Sequence, residues 1–222
     1  MKVLIPAKAH SERLQDKNFR PFSKGRSLFD IKAMQLIKAG ILPENVYVSS
    51  EAEHVRLIAH KYGFNFLLRP ECLARNDVPM GEVFMEAVER IPGDEDIMYV
   101  QVIDPLFDQY VGMKRVWTTR ERKTDSLHMV RKVNSYLLDE RLWPINCRFG
   151  PWHVPTQDMP PLFSWTACCQ IITKEAARYC HYYVGRHPAR YVTTRPFVNI
   201  KTLEDFTLAA AIFERMESES QG

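Results

Sequence analysis

The pattern that most restricts the fold of this chain is the regular alternation of short apolar strands with amphipathic helices. Strands are predicted for the apolar or β-branched runs KVLIPA at 2–7, NVYVSS at 45–50, FNFLL at 64–68 and DIMYVQVI at 96–103. A helical pattern follows each of the last three runs, and the first leads through a polar loop into a helix. Repeated strand–helix–strand units predict an α/β fold of three layers, with a mostly parallel sheet between helices.

Capping residues and glycines set the ends of the predicted helices. Ser27 begins the first helix, because Asp30 follows three residues later in capping-box spacing, and Gly40 ends it. Thr202 caps the last helix, which is predicted at 203–216. The remaining predicted elements are helices at 51–63, at 79–91, from after Pro105 to Val116 and at 173–185, and extended segments at 166–172 and 191–200.

Ligands of such sheets bind at the carboxyl ends of the strands, so the loops after Ile5, Leu68 and Ile103 are the predicted site. The first of these loops lies in LIPAKAHSERLQDKN at 4–18, where an apolar strand gives way at once to a basic stretch. A nucleoside triphosphate requires cations and hydrogen-bond donors at a strand end.

The first loop supplies both kinds of group. Lys8, Arg13 and Lys17 bring positive charge, Ser11 can donate to a phosphate oxygen, and Asn18 can bind a base or a ribose. The loop lacks the glycines of a P-loop or of a dinucleotide-binding turn. A solvated basic turn is the alternative interpretation, because clusters of charge are usually only that.

Composition excludes several classes of protein. The 222 residues carry a net charge of +3 without a long run of one sign, which argues against general binding to nucleic acid or to membrane surfaces. No segment reaches the roughly 18 apolar residues of a membrane span, and the apolar run at the N-terminus is too short for a signal peptide. These features predict one domain over residues 1–222.

The cysteines indicate a cytoplasmic protein. Their number is odd and no CxxC spacing occurs, which is typical of reduced, mostly buried thiols. If 166–172 is a strand, Cys168 and Cys169 lie on its opposite faces as inert thiols. The five cysteines are Cys72, Cys147, Cys168, Cys169 and Cys180.

The segment at 134–163 departs from the alternating pattern, because it is rich in proline and aromatic residues. Its composition predicts an inserted arm rather than a unit of the sheet. Trp143, Phe149, Trp152 and Phe163 would suit an apolar interface. A packed aromatic subcore is the alternative.

Six motifs, in order and in register along nearly the whole chain, resemble those of a known family. They are IPAKAHSERLQDKNFRPF at 5–22, VYVSSEAEHVRLIAHKYGFNFLLRP at 46–70, ECLARND at 71–77, YVQVIDPL at 99–106, MPPLFSWTACCQIIT at 159–173 and VNIKTLEDF at 198–206. This series is similar to that of the acylneuraminate (CMP-sialic acid) and Kdo-type cytidylyltransferases.

The resemblance implies a Rossmann-like, GT-A-like nucleotidyltransferase fold, and a homodimer formed through the inserted arm. It also implies CTP and a small acidic acceptor as substrates, with Mg²⁺ as cofactor. In that reaction an acceptor oxygen attacks the α-phosphorus of CTP and pyrophosphate leaves. Positioning and charge neutralisation provide most of the catalysis.

The resemblance also implies roles for individual residues. Lys17 would stabilise the leaving pyrophosphate. The residues that would act in catalysis are Lys8, Arg13 and Lys17. Those that would bind the nucleotide are Ala7, Lys8, Ser11, Asn18, Arg69, Asp77 and Gln101. Those that would bind the acceptor are Gln101, Asp104, Thr166 and Lys201.

The chain departs from the family where the family's D-I-D motif supplies carboxylates to the metal ion. Asn199 and Lys201 occupy these two positions, and a protonated lysine repels a cation. The remaining candidate ligands are Asp104, Asn199 and Asp205. The alternative for Asp205 is a capping box with Thr202, and the alternative for Asp104 is an Asp-Pro turn.

Three functional hypotheses follow. The first is a cytidylyltransferase that acts on a sialic-acid-like nonulosonic acid. The second is a cytidylyltransferase whose acceptor bears a phosphate or phosphonate, with Lys201 binding that group or replacing one metal ion. The third is a nucleotide-binding relative that has lost catalysis and acts through partners.

Overall fold

A seven-stranded sheet forms the centre of the computed structural model, which describes residues 1–11 and 13–219. Its order in space is β5-β4-β1-β6-β8-β7-β9, and β2 with β3 forms a separate ribbon. In chain order the strands are β1 (Lys2–Pro6), β2 (Pro21–Ser23), β3 (Arg26–Ser27), β4 (Val46–Ser50), β5 (Asn65–Leu68), β6 (Ile97–Val100), β7 (Ser126–Val133), β8 (Leu162–Ile172) and β9 (Pro188–Val192).

The sheet is mostly parallel, as the alternating sequence pattern predicted. β1 pairs in parallel with β4 and β6, β4 with β5, and β7 with β9. Only β8, among these strands, runs antiparallel to both of its neighbours, β6 and β7. Every residue of β4 and of β6 is buried, which is typical of strands covered on both faces.

Six helices cover the two faces of the sheet in the part of the chain that the structure describes. α1, α2, α4 and α6 pack on one face with Val3, Ile5 and Val48, and α3 and α5 pack on the other with Leu4 and Tyr99. None of them is long and apolar enough to cross a membrane. The helices are α1 (Leu28–Lys38), α2 (His54–Lys61), α3 (Met80–Arg90), α4 (Tyr110–Thr118), α5 (Lys174–Cys180) and α6 (Leu203–Glu219).

The predicted start and end of α1 are confirmed. The backbone N–H of Asp30 donates to Ser27 Oγ, while Asp30 Oδ2 accepts from the backbone N–H of Ser27, so both halves of the capping box are present. Gly40 follows the helix with φ +70°, a conformation in which glycine is favoured.

The prediction for α5 was too long, because the helix ends at Cys180 rather than continuing to residue 185. His181 adopts a left-handed conformation with φ +49°, and the chain then leaves the helix. The ring of Tyr183 stacks on that of Tyr99 at 5.0 Å and meets Phe84 edge-on at 5.6 Å. Tyr183 is thereby buried against the sheet, where an aromatic ring contributes a large apolar contact.

Strand β7 was not predicted, and β8 begins four residues before the predicted start at residue 166. Val133 pairs with Leu162 and Lys132 with Phe163, so the two strands extend beyond their apolar parts. The last two residues of the predicted arm at 134–163 therefore belong to β8. Backbone pairing between these strands, rather than apolar periodicity, decides the boundary.

The arm at 134–161 holds itself together by backbone and polar contacts, while several of its apolar side chains face outward. Asp139 Oδ1 accepts from the backbone N–H groups of Arg141 and Trp143, each at 2.9 Å. The exposed fractions are 69% for Trp143 and 71% for Trp152. The interpretation as a packed aromatic subcore is therefore wrong for these two side chains.

Cys168 and Cys169 are both buried, and burial raises the pKa of each thiol. They do not lie on opposite faces of β8, because both belong to the cluster on the α1 side of the sheet. Ala167 has φ +54°, and the opposite strand shifts register between His128 and Val130. This irregularity interrupts the alternation that the prediction assumed.

Candidate functional site

A basic cleft of about 630 Å³ opens where β1, β5 and β6 end. Its volume falls within the roughly 300–1,000 Å³ of small-molecule sites. Five lining residues are cationic, and no described lining residue is acidic. The cationic residues are Lys8, Arg13, Lys17, Arg69 and Arg75, and the polar lining also includes Ser11, Asn18, Asn76 and Gln101.

The carboxylate of Glu51 anchors the first part of the basic loop. Glu51 directly follows β4, and its Oε1 accepts from the backbone N–H of Ala9 at 2.8 Å and of His10 at 3.3 Å. The backbone N–H of Ala7 donates to the Ser49 carbonyl at 2.9 Å. Ala7 itself is fully buried, so its methyl group packs in the core and does not line the cleft.

The side chain of Asn18 closes the loop from its other end. Its Nδ2 donates to the Lys8 carbonyl at 2.8 Å, and the backbone carbonyl of Asn18 accepts from the Phe29 N–H at 3.0 Å. The loop is thereby fixed to the first turn of α1. Contact of Asn18 with a base or a ribose stays a prediction, since this amide already has a partner within the protein.

Lys17 lies where the end of β6 meets the segment before α6. Its Nζ donates to the Ile200 carbonyl at 3.1 Å, and the Ile200 N–H donates to the Ile103 carbonyl at 3.1 Å. Burial, and then the charge of Arg13, lower the pKa of Lys17 to about 8. An anion in the cleft would oppose both effects and would favour the charged ammonium group.

Arg69 is the most deeply buried cation of the cleft, with 5% of its surface exposed. Its Nε donates to Ser49 Oγ at 3.2 Å and its Nη2 donates to the Ser49 carbonyl at 2.8 Å. Burial lowers its pKa. These bonds hold the planar guanidinium group in one orientation at the end of β5, as recognition of a phosphate by arginine requires.

The loop after β5 contributes two residues that the sequence analysis missed, Arg75 and Asn76. Asn76 Oδ1 accepts from Lys8 Nζ at 2.8 Å. Asp77, which was predicted to bind the nucleotide, is exposed and does not line the cleft. It forms an ion pair with Arg75 instead. The basic and amide residues beside Asp77 in ECLARND were the available signal.

The structure brings most of the predicted nucleotide-binding residues together, but not the predicted acceptor residues. Thr166 is 3% exposed and its hydroxyl donates to the Met129 carbonyl at 3.0 Å, within the sheet. The predicted residues that line the cleft are Lys8, Ser11, Arg13, Lys17, Asn18, Arg69 and Gln101, whereas Ala7, Asp77, Asp104, Thr166, Asn199, Lys201 and Asp205 do not line it.

Asp104 forms the predicted turn beneath the cleft. It is 1% exposed, and its Oδ1 accepts from the Leu106 N–H at 2.9 Å across Pro105. Burial raises its pKa to about 6, and the charge of Lys32 opposes this shift. Lys32 was not predicted to contribute here, but its buried Nζ donates to the Phe107 carbonyl at 2.8 Å and so holds the same loop against α1.

The described residues do not fit a resident Mg²⁺ ion. Asp205 Oδ2 accepts from the Lys201 N–H at 2.9 Å and the Thr202 N–H at 3.0 Å, as the capping-box interpretation predicted. Asp104 is buried outside the cleft, where only its Oδ2 lacks a partner among the described residues, and Asn199 can offer one neutral amide oxygen in place of a carboxylate. In the described ranges no group of three or more His, Cys, Asp or Glu side chains could hold a metal ion. Hard cations prefer carboxylate and carbonyl oxygen ligands.

A second cleft, of about 520 Å³, lies between α1 and α6. Two of its cations are already paired, since Arg26 binds Glu217 through both terminal nitrogens and Arg195 binds Asp108 with an Nε–Oδ1 distance of 2.8 Å. Carboxylates neutralise these guanidinium groups, so this cleft suits a polyanion less well than the basic cleft does.

Solved structures of nucleotidyltransferases share this fold over nearly their whole length. CMP:2-keto-3-deoxy-manno-octonic acid synthetase complexed with CTP is 12% identical, with a TM-score of 0.67, and the match covers 97% of this chain and 98% of that chain. The 4-diphosphocytidyl-2C-methyl-D-erythritol synthase of Anaerococcus prevotii is 12% identical, with a TM-score of 0.65 and coverage of 96% and 99%. A putative glucose-1-phosphate thymidylyltransferase of Bacillus anthracis in complex with a sucrose is 10% identical, with a TM-score of 0.66 and coverage of 96% and 94%.

These similarities establish the class of fold that the strand order and the flanking helices had indicated, that of the Rossmann-like nucleotidyltransferases. Residues 2–142 match the family described as cytidylyltransferase, and the chain belongs to this family. No curated protein matches the chain significantly in sequence.

Replacement of Glu51 separates its anchoring role from its charge. Glu51→Ala removes a negative charge beside the cleft, and charge alone would then tighten binding of CTP. Because the loop also loses its anchor, we expect binding to weaken about tenfold, which is about 1.4 kcal/mol. Glu51→Gln keeps an acceptor oxygen and is the matched control, with affinity at least equal to that of the unchanged protein. Calorimetric titration measures both, and tighter binding by Glu51→Ala would contradict the anchoring role.

The lowered pKa of Lys17 predicts that CTP binds less tightly as the pH rises through about 8. Above this pH the free protein carries a neutral Lys17, and binding of an anion must take up a proton. We expect uptake of up to about one proton near pH 8.5, measured by calorimetry in two buffers of different ionisation enthalpy. Below about pH 7 Lys17 is already charged, so it contributes no pH dependence there.

The matched variant for this prediction is Lys17→Arg, which remains charged throughout this range. Its affinity for CTP should change little between pH 7 and 9, and its proton uptake should be close to zero. Equal uptake by the variant and by the unchanged protein would show that another group titrates.

Proposed function

We propose that this protein transfers CMP from CTP to an acidic, sialic-acid-like or Kdo-like sugar and releases pyrophosphate. One observation carries the proposal: five cationic side chains line a cleft at the strand ends of a chain that belongs to the cytidylyltransferase family. The position of the cleft supports it further, since ligands of parallel α/β sheets bind at the carboxyl ends of the strands.

In the proposed reaction a hydroxyl oxygen of the acceptor attacks the α-phosphorus of CTP. The bond from the α-phosphorus to the bridging oxygen breaks, and its electron pair leaves with pyrophosphate. The proton of the hydroxyl group passes to solvent. Such transfers depend mainly on alignment of the attacking and leaving oxygens and on stabilisation of the charge that develops between them.

The basic cleft suits this chemistry because hydrogen bonds hold Lys8, Lys17 and Arg69 in place. Lys17 is held at the Ile200 carbonyl and is assigned to the leaving pyrophosphate, where its charge would count most in the transition state. Lys8 and Arg13 would bind the remaining phosphate oxygens, with Ser11 as a further donor. Arg69 and Gln101, at the ends of β5 and β6, would frame the nucleotide and the acceptor.

An acidic sugar is the proposed acceptor because of the motifs described above and because the synthetase of CMP:2-keto-3-deoxy-manno-octonic acid shares the fold across 97% of this chain. A phosphate- or phosphonate-bearing acceptor is the second candidate. Lys201 favours it, since this exposed cation replaces a family carboxylate next to the Lys17–Ile200 hydrogen bond. Transfer of CMP to a phosphate would give a diphosphocytidyl product, the kind named for a second structural neighbour.

Binding and turnover together test the proposal. Calorimetry should show that CTP binds more tightly than UTP, ATP and GTP, and an acid panel should then release pyrophosphate with a nonulosonic or Kdo-like acid. Lys17→Ala should weaken CTP binding by about 10- to 100-fold, because a charge-assisted hydrogen bond contributes about 1.5–3 kcal/mol.

The control variant for charge is Lys123→Ala. Lys123 is exposed and lies just before β7, at the sheet edge opposite the cleft, because β7 runs in the same direction as β6. Pyrophosphate release with phosphate- or phosphonate-bearing acceptors alone would favour the second candidate. CTP binding without turnover of any acceptor would favour a relative that has lost catalysis, and failure to bind any nucleotide would contradict the proposal.

We further propose that the protein is a cytoplasmic homodimer that associates through the arm at 134–161. Trp143, Trp152, Leu142, Ile145 and Phe149 are each more than half exposed. Water-exposed aromatic and aliphatic groups at this density are typical of an interface with another protein surface. The cytoplasmic assignment rests on the five cysteines, none of which forms a disulfide.

A double variant tests the dimer. Trp143→Ser/Trp152→Ser removes two large exposed rings without touching the core, so the fold should persist while the dimer dissociates. Sedimentation or light scattering should report a dimer for the unchanged protein and a monomer of about half the mass for the variant. Leu57→Ser, a similarly exposed apolar residue of α2, is the control and should remain dimeric. A monomeric unchanged protein would contradict the proposed dimer.

A further inference from the structure

A nucleoside triphosphate carries about four negative charges near neutral pH. Enzymes that use one commonly neutralise part of this charge with Mg²⁺, which carboxylates hold beside the phosphates. A site without such carboxylates must supply the positive charge in another way. The basic cleft has the composition of that second kind of site.

Most acidic groups near the cleft already have partners, and the carboxylate oxygens without one among the described residues are buried in side chains that do not line it. Glu51 accepts from two backbone N–H groups of the basic loop, and Asp77 forms an ion pair with Arg75. Asp104 is buried outside the cleft, with Oδ1 bonded to a backbone N–H group and Oδ2 without a hydrogen-bond partner among the described residues, and Asp205 caps α6. In the described part of the chain, no carboxylate lines the cleft to attract a divalent ion.

The positive charges of the cleft, in contrast, are largely uncompensated. Lys8, Arg13, Lys17 and Arg69 line it, and none of the four is in an ion pair within the described residues, whereas Arg75 is paired with Asp77. Four cations therefore face the space where a triphosphate would bring about four negative charges. The same cations repel a free divalent ion.

One ammonium group occupies the junction where the family's metal-binding motif would lie. Lys17 Nζ is 3.1 Å from the carbonyl of Ile200, the residue between Asn199 and Lys201. The Ile200 N–H in turn bonds to the Ile103 carbonyl beyond β6. A fixed positive charge thus stands between two strand-end segments, and Lys201 adds an exposed cation to one of them.

We propose that this site binds CTP without a divalent metal ion, because Lys8, Arg13, Lys17 and Arg69 neutralise the triphosphate directly. The inference rests on the proposed function, since it concerns the same nucleotide in the same cleft. It also gives Asn199 and Lys201 a consistent meaning, because a metal-free site has no use for two carboxylates at these positions.

Calorimetric titration of CTP into EDTA-treated protein, in EDTA and then in excess Mg²⁺, tests the inference. The affinity should agree within about threefold between the two conditions, or should fall in Mg²⁺, because the ion reduces the charge that the cations recognise. Binding that strengthens tenfold or more in Mg²⁺ would overturn the inference while leaving the proposed function intact. Failure to bind CTP in either condition would overturn both.

A pair of variants sharpens the test. Asn199→Asp/Lys201→Asp restores two carboxylates at a half-buried and an exposed position, so the fold should tolerate it. Its CTP affinity should fall at least tenfold in EDTA and recover in Mg²⁺. Lys201→Asn removes the charge without adding a carboxylate and should stay insensitive to Mg²⁺. Unchanged behaviour of the double variant in both conditions would overturn the role that the inference gives to Asn199 and Lys201.

Discussion

The bond between the Glu51 carboxylate and the backbone of the basic loop is the interaction on which the candidate site depends. Glu51 stands at the end of β4, and its acceptor oxygen orders the loop that leaves β1. Asn18 completes the arrangement by joining the loop to itself and to α1. These contacts keep the positive side chains of the loop together on one wall of a cleft. Lysines dispersed over the surface could not all contact one ligand.

Burial of cations at the basic cleft lowers the stability of the folded protein. Burial disfavours the charged forms of Lys17 and Arg69, and neither forms an ion pair among the described residues, although the charges of Glu51 and Glu86 partly offset the burial of Arg69. Elsewhere some cations are paired with carboxylates, as Arg26 is with Glu217, while the buried Lys32 and Lys174 donate to neutral acceptors such as backbone carbonyls. Several cations without an ion pair, gathered in one cleft at the strand ends, are typical of a site that an anionic ligand completes.

The sequence predicted the elements whose signals are local, and it missed those that depend on distant partners. The capping box at Ser27 and the basic residues after β1 could be recognised because the informative residues are neighbours in the chain. Strand β7 escaped prediction, since it is defined by pairing with β8 and β9. The anchoring role of Glu51 was also not predicted, because only the tertiary structure brings the end of β4 beside the loop. Motif similarity could not show that Thr166 and Asp104 are buried away from the cleft.

A crystal structure of the complex with CTP would show whether the basic cleft holds the triphosphate. Phosphate oxygens should lie within about 3 Å of Lys17 Nζ and of the Arg69 guanidinium group, as charge-assisted hydrogen bonds require. The cytosine ring should lie at the end of β1, beside the loop that Glu51 anchors. A nucleotide bound in the cleft between α1 and α6, or one whose phosphates point away from Lys17, would show that the basic cleft is not the triphosphate site.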